Sequence, residues 1–261
     1  MKALSTAATG MLAQQLHVEV ISNNIANMNT TGYKRQRAEF QDLLYQNIER
    51  VGAASSDAGT VVPSGIQIGV GVKAGGVYRV TEQGSLTETG NQFDVAVNGR
   101  GYFRIIMPDG SDAYTRAGAF QLSDQGEIVT TAGFPVAPGV TVPQEAVDVT
   151  INEVGQVQVQ LAGQVDFQTV GQLDLSIFPN EAGLEAVGDN LFRESPASGA
   201  ATVGVPGDTG FGTIQQGFLE TSNVNPVAEI TSLITAQRAY EMNSKVITTA
   251  DEMMNVTSNL R

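Results

Sequence analysis

The chain contains no cysteine, and that absence removes disulfide frameworks, thiolate zinc sites, iron–sulfur clusters and cysteine nucleophiles. Histidine is almost as scarce. His17 is the one imidazole, so a Ser-His-Asp triad has one possible base, and a zinc site would have to be completed by oxygen ligands. Tryptophan is missing and the aromatic residues together make 6% of the chain. Only 14 Lys and Arg stand against 27 Asp and Glu, a formal net charge of −13, so the clustered cations that bind a phosphate backbone are lacking. No apolar run reaches the roughly 18 residues that span a bilayer. The start Met1-Lys2-Ala3-Leu4 is broken by Ser5, Thr6, Thr9 and Gly10 before the apolar core of a signal peptide forms. These absences predict a chain with no cofactor, no metal, no nucleic-acid partner, no cleaved signal and no membrane insertion.

What is present is unevenly distributed over the 261 residues. Residues 1–50 hold two Gly, no Pro, five basic and four acidic side chains, net +1. Residues 51–210 hold 25 Gly, eight Pro, six basic and 18 acidic side chains, net −12. Residues 211–261 hold two Gly, one Pro, three basic and five acidic, net −2. The ends read as helix and the middle as β structure, an α+β chain in which long terminal coiled-coil helices flank a β-rich domain.

The helical reading rests on spacing. Leu4, Met11, Val18 and Ile25 recur every seven positions, and Ala7, Ile21 and Met28 fill the alternate site of the same stripe. Gln14 interrupts it, Asn23, Asn24 and Asn27 crowd its end, and Gly32 in Asn29-Thr30-Thr31-Gly32 is the expected left-handed stop. The C-terminal helix is expected to start at Asn225-Pro226, an N-cap followed by proline at the first helical position, with Glu229 in the first turn. Leu233, Ala236, Tyr240, Ile247, Ala250 and Met254 form one stripe, with polar Asn243 in its gap. Ala239, Met242, Val246, Met253 and Leu260 form another on an adjacent face. Two apolar faces imply more than one partner.

The middle alternates in short runs, at Phe93, Val95 and Val97 and over residues 155–161, with hairpin turns expected at Pro108-Asp109-Gly110, Asp124-Gln125-Gly126 and Asn98-Gly99. Residues 51–65 are small, polar and aperiodic, and read as a long loop. The implied organisation is a helical domain of 1–32 plus 225–261, a connecting segment of 33–76 plus 211–224, and a β-rich outer domain of 77–210.

Enzymatic readings are thin. Gly69-Val70-Gly71-Val72-Lys73-Ala74 satisfies G-x-G-x-x-A, but the residues after it read as loop and strand, and a nucleotide site needs a helix there. Paired carboxylates, as in a peptidoglycan hydrolase, remain formally open. Asp109, Asp112 and Asp124 flank turns, however, and no tryptophan offers a sugar platform. His17 has no company for a metal site.

A helix at each end of one chain can make at most a two-helix hairpin. Such helices are marginal alone, so they are expected to order fully against further copies, and a head-to-tail contact that does not close yields a ring or a helical filament.

Residues 22–46, SNNIANMNTTGYKRQRAEFQDLLYQ, resemble the N-terminal signature of the flagellar rod, hook and hook-associated axial proteins, with Asn23, Asn24, Asn27, Asn29, Thr30, Gly32 and Tyr33 carrying the motif. Residues 216–253 resemble their C-terminal signature, and residues 84–105 and 113–136 are similar to their outer β domain. Residues 43–76 resemble the long stretch typical of distal-rod members. The resemblance implies a structural subunit, not an enzyme, exported without a cleaved signal and polymerised into the periplasm-spanning rod. Its implied partners are further copies in a helical tube, the proximal rod and hook proteins, the surrounding basal-body rings and the flagellar export apparatus. A proximal-rod or hook subunit is the nearest alternative. The family comparison also suggests that loop 51–65 braces neighbouring subunits, and that the acidic middle faces outward.

Overall fold

The computed structural model describes residues 2–48, 65–164 and 166–259; most of the expected bracing loop, and Leu260 of the second stripe, lie outside the described residues. The chain divides into two compact units. One comprises Met1–Ile25, Gln36–Tyr78 and Asn225–Arg261, and the other Ala26–Arg35 and Arg79–Val224.

In the first unit, helix α1 spans Lys2–Ala26 and helix α2 spans Pro226–Asn259. At 1.5 Å per residue they are about 37 and 51 Å long. The start of α2 is the one expected: Asn225 Oδ1 accepts from the amides of Val227 at 3.1 Å and Ala228 at 3.2 Å. Asn225→Ala strips the first turn of this acceptor and lowers stability by about 1 kcal/mol, measurable as a fall in the urea midpoint. The end of α1 differs from expectation. The helix stops at Ala26, and Gly32 closes a separate turn farther on, with φ +68°. Asn27 ends the helix instead: its carbonyl accepts from Thr30 N at 3.1 Å and its side chain accepts from the Thr30 hydroxyl at 3.1 Å.

The same unit contains two antiparallel ribbons, Gln36–Asp42 with Val72–Arg79 and Tyr45–Asn47 with Gln67–Gly69. The G-x-G-x-x-A stretch therefore runs through strand and no helix follows it. Gly71 lies against the Thr9 side chain of α1, whose hydroxyl accepts from Val72 N at 3.3 Å.

The second unit is built on a six-stranded sheet ordered Glu185–Gly188, Leu191–Arg193, Asp112–Thr115, Tyr102–Ile106, Leu175–Ile177, Thr202–Gly204, with every pairing antiparallel. A three-stranded sheet of Ala146–Ile151, Gln156–Leu161 and Phe167–Gln172 accompanies it. In Gln156–Leu161 the alternation reads directly as packing: Val157 and Val159 are buried, and the glutamines between them are half-exposed. One face of the larger sheet joins Phe103, Ile105, Leu175 and Leu191 to Phe120, Val157 and Val159 in the main core. The other face carries a smaller cluster of Tyr102, Tyr114, Phe178 and Leu184, whose rings meet edge to face at 4.8–6.0 Å.

The turns at Gly110 and Gly126, both with positive φ, join paired strands as expected. Asn98-Gly99 does not. Strand Val95–Asn98 pairs with Thr213–Gln216, more than a hundred residues away, so this turn changes the chain's direction without forming a hairpin. Between Ala117 and Phe192 there are ten acidic side chains and not one Lys or Arg.

Candidate assembly surface and its buried charges

The two helices of the first unit run antiparallel. Ala3 and Leu4 share a groove with Ala250, Met253, Met254 and Thr257, Gly10 abuts Asn243, and Gln14 and His17 face Thr231, Thr235 and Ala236. Small residues are buried along this seam, Ala7 on α1 and Ala236 and Ala250 on α2, with Ile21. A side chain at Gly10 would meet the Asn243 amide at 2.9 Å, so glycine lets the polar residue in the gap of the C-terminal stripe fit against α1. His17 packs edge to face on Phe40, ring centroids 6.0 Å apart.

Of the stripe residues expected from sequence, Ile21, Ala236 and Ala250 are buried, and Leu4, Met11, Val18, Ile25, Leu233 and Ile247 are half-buried. Met28, Tyr240 and Met254 are exposed. Ala13 and Val20 are buried although the heptad reading left them out, because α1 also packs against the ribbon side, where Thr9 meets Val72 and His17 meets Phe40. On α2 the adjacent face is open: Met242, Val246, Met253 and Val256 are exposed, as are Val227, Ile230 and Ile234 nearer its start. The five threonines of α2 all turn their hydroxyls back onto its own carbonyls, Thr231 to Val227, Thr235 to Thr231, Thr248 and Thr249 to Lys245, and Thr257 to Met253, at 2.7–3.0 Å.

Two carboxylates that are each 1% exposed were not foreseen in the sequence. Glu229, expected to serve the helix dipole, is 1% exposed, and its Oε2 accepts from Asn24 Nδ2 at 3.1 Å. Asn24 also pairs with the backbone of Gln36, donating to its carbonyl and accepting from its amide, both at 2.8 Å. Asn23 and Asn29 are exposed.

The second carboxylate organises the other unit. Glu220 Oε1 accepts from Lys34 Nζ at 2.6 Å and from Gly84 N at 2.9 Å, and Oε2 accepts from Arg116 Nε at 2.6 Å. Lys34 also donates to the Glu82 carbonyl at 2.9 Å. Arg116 spends its remaining donors on the carbonyls of Gly101 and Gly99, both at 2.6 Å, and Val97. The side chains of Lys34, Arg116 and Glu220 are 3%, 5% and 0% exposed. Burial pushes the Glu220 carboxyl up, but Arg116 and Lys34 outweigh burial and hold it below the usual carboxylate value. Gly32 belongs to the same junction, and Tyr33 N donates to the Thr30 carbonyl at 3.2 Å. Gly32 N donates to the Glu220 carbonyl at 2.8 Å, and its α-carbon rests on the Arg116–Ala117 peptide. Arg35 N donates to Asn223 Oδ1, and Asn223 Nδ2 donates to the Val80 and Glu82 carbonyls.

Among the described residues no group of three His, Cys, Asp or Glu could hold a metal ion, and no helix is long and apolar enough to cross a membrane. Family models match three stretches of the chain: a flagellar basal-body rod protein model at residues 4–34, a flagellar hook protein FlgE/F/G D1 domain at 96–159, and a flagellar basal-body rod FlgEFG C-terminal model at 215–260. A flagellar basal-body rod protein FlgG of Caulobacter vibrioides is 64% identical over 261 residues, all of both chains. The chain belongs to the FlgG family of flagellar basal-body rod proteins. A FlgG of Agrobacterium fabrum is 54% identical over 99% of this chain and 98% of its own. A FlgF of Caulobacter vibrioides reaches only 33%, over 96% of this chain and 94% of its own, so similarity favours FlgG over FlgF. FlgG family members are structural subunits of the basal-body rod, not enzymes; in this chain Lys34 is the last residue of the 4–34 match and Glu220 lies inside the 215–260 match.

Proposed function

We propose that this chain polymerises as a helical tube forming the distal rod, the drive shaft that carries torque from the motor to the hook. The exposed apolar face of α2, with Met242, Val246, Met253 and Val256 in water, carries the reading, because burying it against further copies recovers about 25 cal/mol per Å² of apolar area. In this reading α1 and α2 supply the inner tube as coiled-coil helices, through Leu4, Met11, Val18, Ile21, Ile25, Met28, Leu233, Ala236, Tyr240, Ile247, Ala250 and Met254. Residues 77–210 form the outer domain, joined to the tube by 33–76 and 211–224. The proximal rod and hook proteins abut the tube's two ends, the basal-body rings surround it, and the export apparatus delivers the chain.

A chain carrying Met242→Glu and Val246→Glu is expected to keep its monomer helicity, read by circular dichroism, and to fail to restore the rod in a bacterium lacking the gene. Electron microscopy of purified basal bodies should then show a rod that stops short, without outer rings or hook. A complete rod built from this variant would overturn the assignment of the α2 face, and a normal basal body in the unrescued deletion strain would overturn the function.

A further inference from the structure

We propose that Glu220 is a completion latch: it fixes residues 26–35 onto the rest of the β-rich unit only after residues 218–220 have arrived. The inference concerns the folding of a single chain and does not depend on the rod reading.

The geometry is one carboxylate between two buried cations. Lys34 lies 186 residues before Glu220 and Arg116 lies 104 before it. Both cations are almost wholly out of water, and each bonds a different oxygen of the same carboxylate. Arg116 is held in place by three carbonyls, at Val97, Gly99 and Gly101, that come from its own neighbourhood in sequence. The Arg116 half of the site can therefore form early. Lys34 docking alone would bring a second positive charge into a water-poor site already holding one. Arrival of Phe218–Glu220, which pairs with Leu86–Glu88, reverses the balance. The carboxylate neutralises the pair, Gly84 N completes its coordination, and the Glu220 carbonyl takes the amide of Gly32. Between Arg116 and Glu220 lies most of the β body, including the three-stranded sheet. Docking of 26–35 thus reports that the intervening chain is complete, and a partial chain keeps its N-terminal signature undocked.

The test is hydrogen exchange on the full chain, read by mass spectrometry of fragments. In refolding, Gly32 and Gly84 are expected to gain protection together with 218–220, and later than the hairpin of Tyr102–Ile106 and Asp112–Thr115. In the native Glu220→Gln chain, exchange across 26–35 should rise at least about tenfold while that hairpin changes little. Lys34→Met removes the second cation, so adding it to Glu220→Gln should return most of the protection that 26–35 loses in Glu220→Gln alone, because the bond from Gly32 N to the residue-220 carbonyl is untouched. Protection of 26–35 ahead of 218–220 in the wild-type chain would overturn the latch, as would unchanged exchange in Glu220→Gln or an equal loss of protection in the hairpin. If Glu220→Gln alone does not fold, its rescue by Lys34→Met decides, and a double variant that still leaves 26–35 unprotected would overturn the latch.

Discussion

Arg116→Met is expected to destabilise the β-rich unit by about 3–5 kcal/mol, the usual result of removing one partner of a buried ion pair. The loss has two parts. Glu220 keeps one cation but loses the bond to its second oxygen, and three carbonyls, at Val97, Gly99 and Gly101, lose a charged donor inside the protein. Urea unfolding followed by the Tyr signal reads this as a lower midpoint at unchanged slope. Adding Glu220→Gln to Arg116→Met should cost less than the sum of the two single changes, because the second removes a charge that the first left underpaired. Strict additivity would mean that the two side chains do not act as a unit. The pair also sets a pH limb. The carboxyl is held below its ordinary value, so its stabilisation is complete above the usual carboxylate range and is lost as pH falls through the lowered folded-state value. Glu220→Gln should remove that acid limb and leave the neutral range flat.

Gly32→Val comes next in size. The backbone there has φ +68°, a conformation that a β-branched residue adopts at a strain of about 1–3 kcal/mol. A β-carbon would also stand 2.8 Å from Ala117 N and from the Arg116 carbonyl carbon, and neither backbone atom can swing aside as a side chain would. The two costs add. The variant should lose the Gly32 bond to the Glu220 carbonyl and expose residues 26–35 to proteolysis while the six-stranded sheet keeps its circular dichroism. Full protease resistance of that segment would show that the glycine is replaceable.

Periodicity made the ends of this chain readable. The N-cap at Asn225 and the buried positions Ile21, Ala236 and Ala250 follow from side chains whose roles depend on neighbours one or two turns away. Alternation in Gln156–Leu161 was legible for the same reason, since the face a residue occupies is decided two positions at a time. Gly32 was recognised as a left-handed residue but given the wrong task, because a positive φ says that a turn is made and not which element it ends. The Lys34–Glu220–Arg116 cluster was illegible. Nothing local distinguishes a Lys in GYKR or a Glu in FLET from the solvated charges around them; their burial is created by pairing across 186 and 104 residues. Asn24 shows the same limit. It sits among four asparagines in a row of seven residues, and only its contacts with Gln36 and Glu229 separate it from exposed Asn23. Family resemblance supplied what pattern could not, by marking both signatures as units.

The threonines of α2 have one more consequence. A hydroxyl that faces water must surrender its hydration when a neighbour covers it, and an uncompensated loss costs a few kcal/mol. On α2 each threonine already donates to a carbonyl of its own helix, so covering it leaves no donor stranded. The threonine positions can therefore go from wet to dry asking a neighbouring surface only for shape, whereas the exposed charges of the same helix, Arg238, Glu241, Lys245, Asp251 and Glu252, still require water or a polar partner.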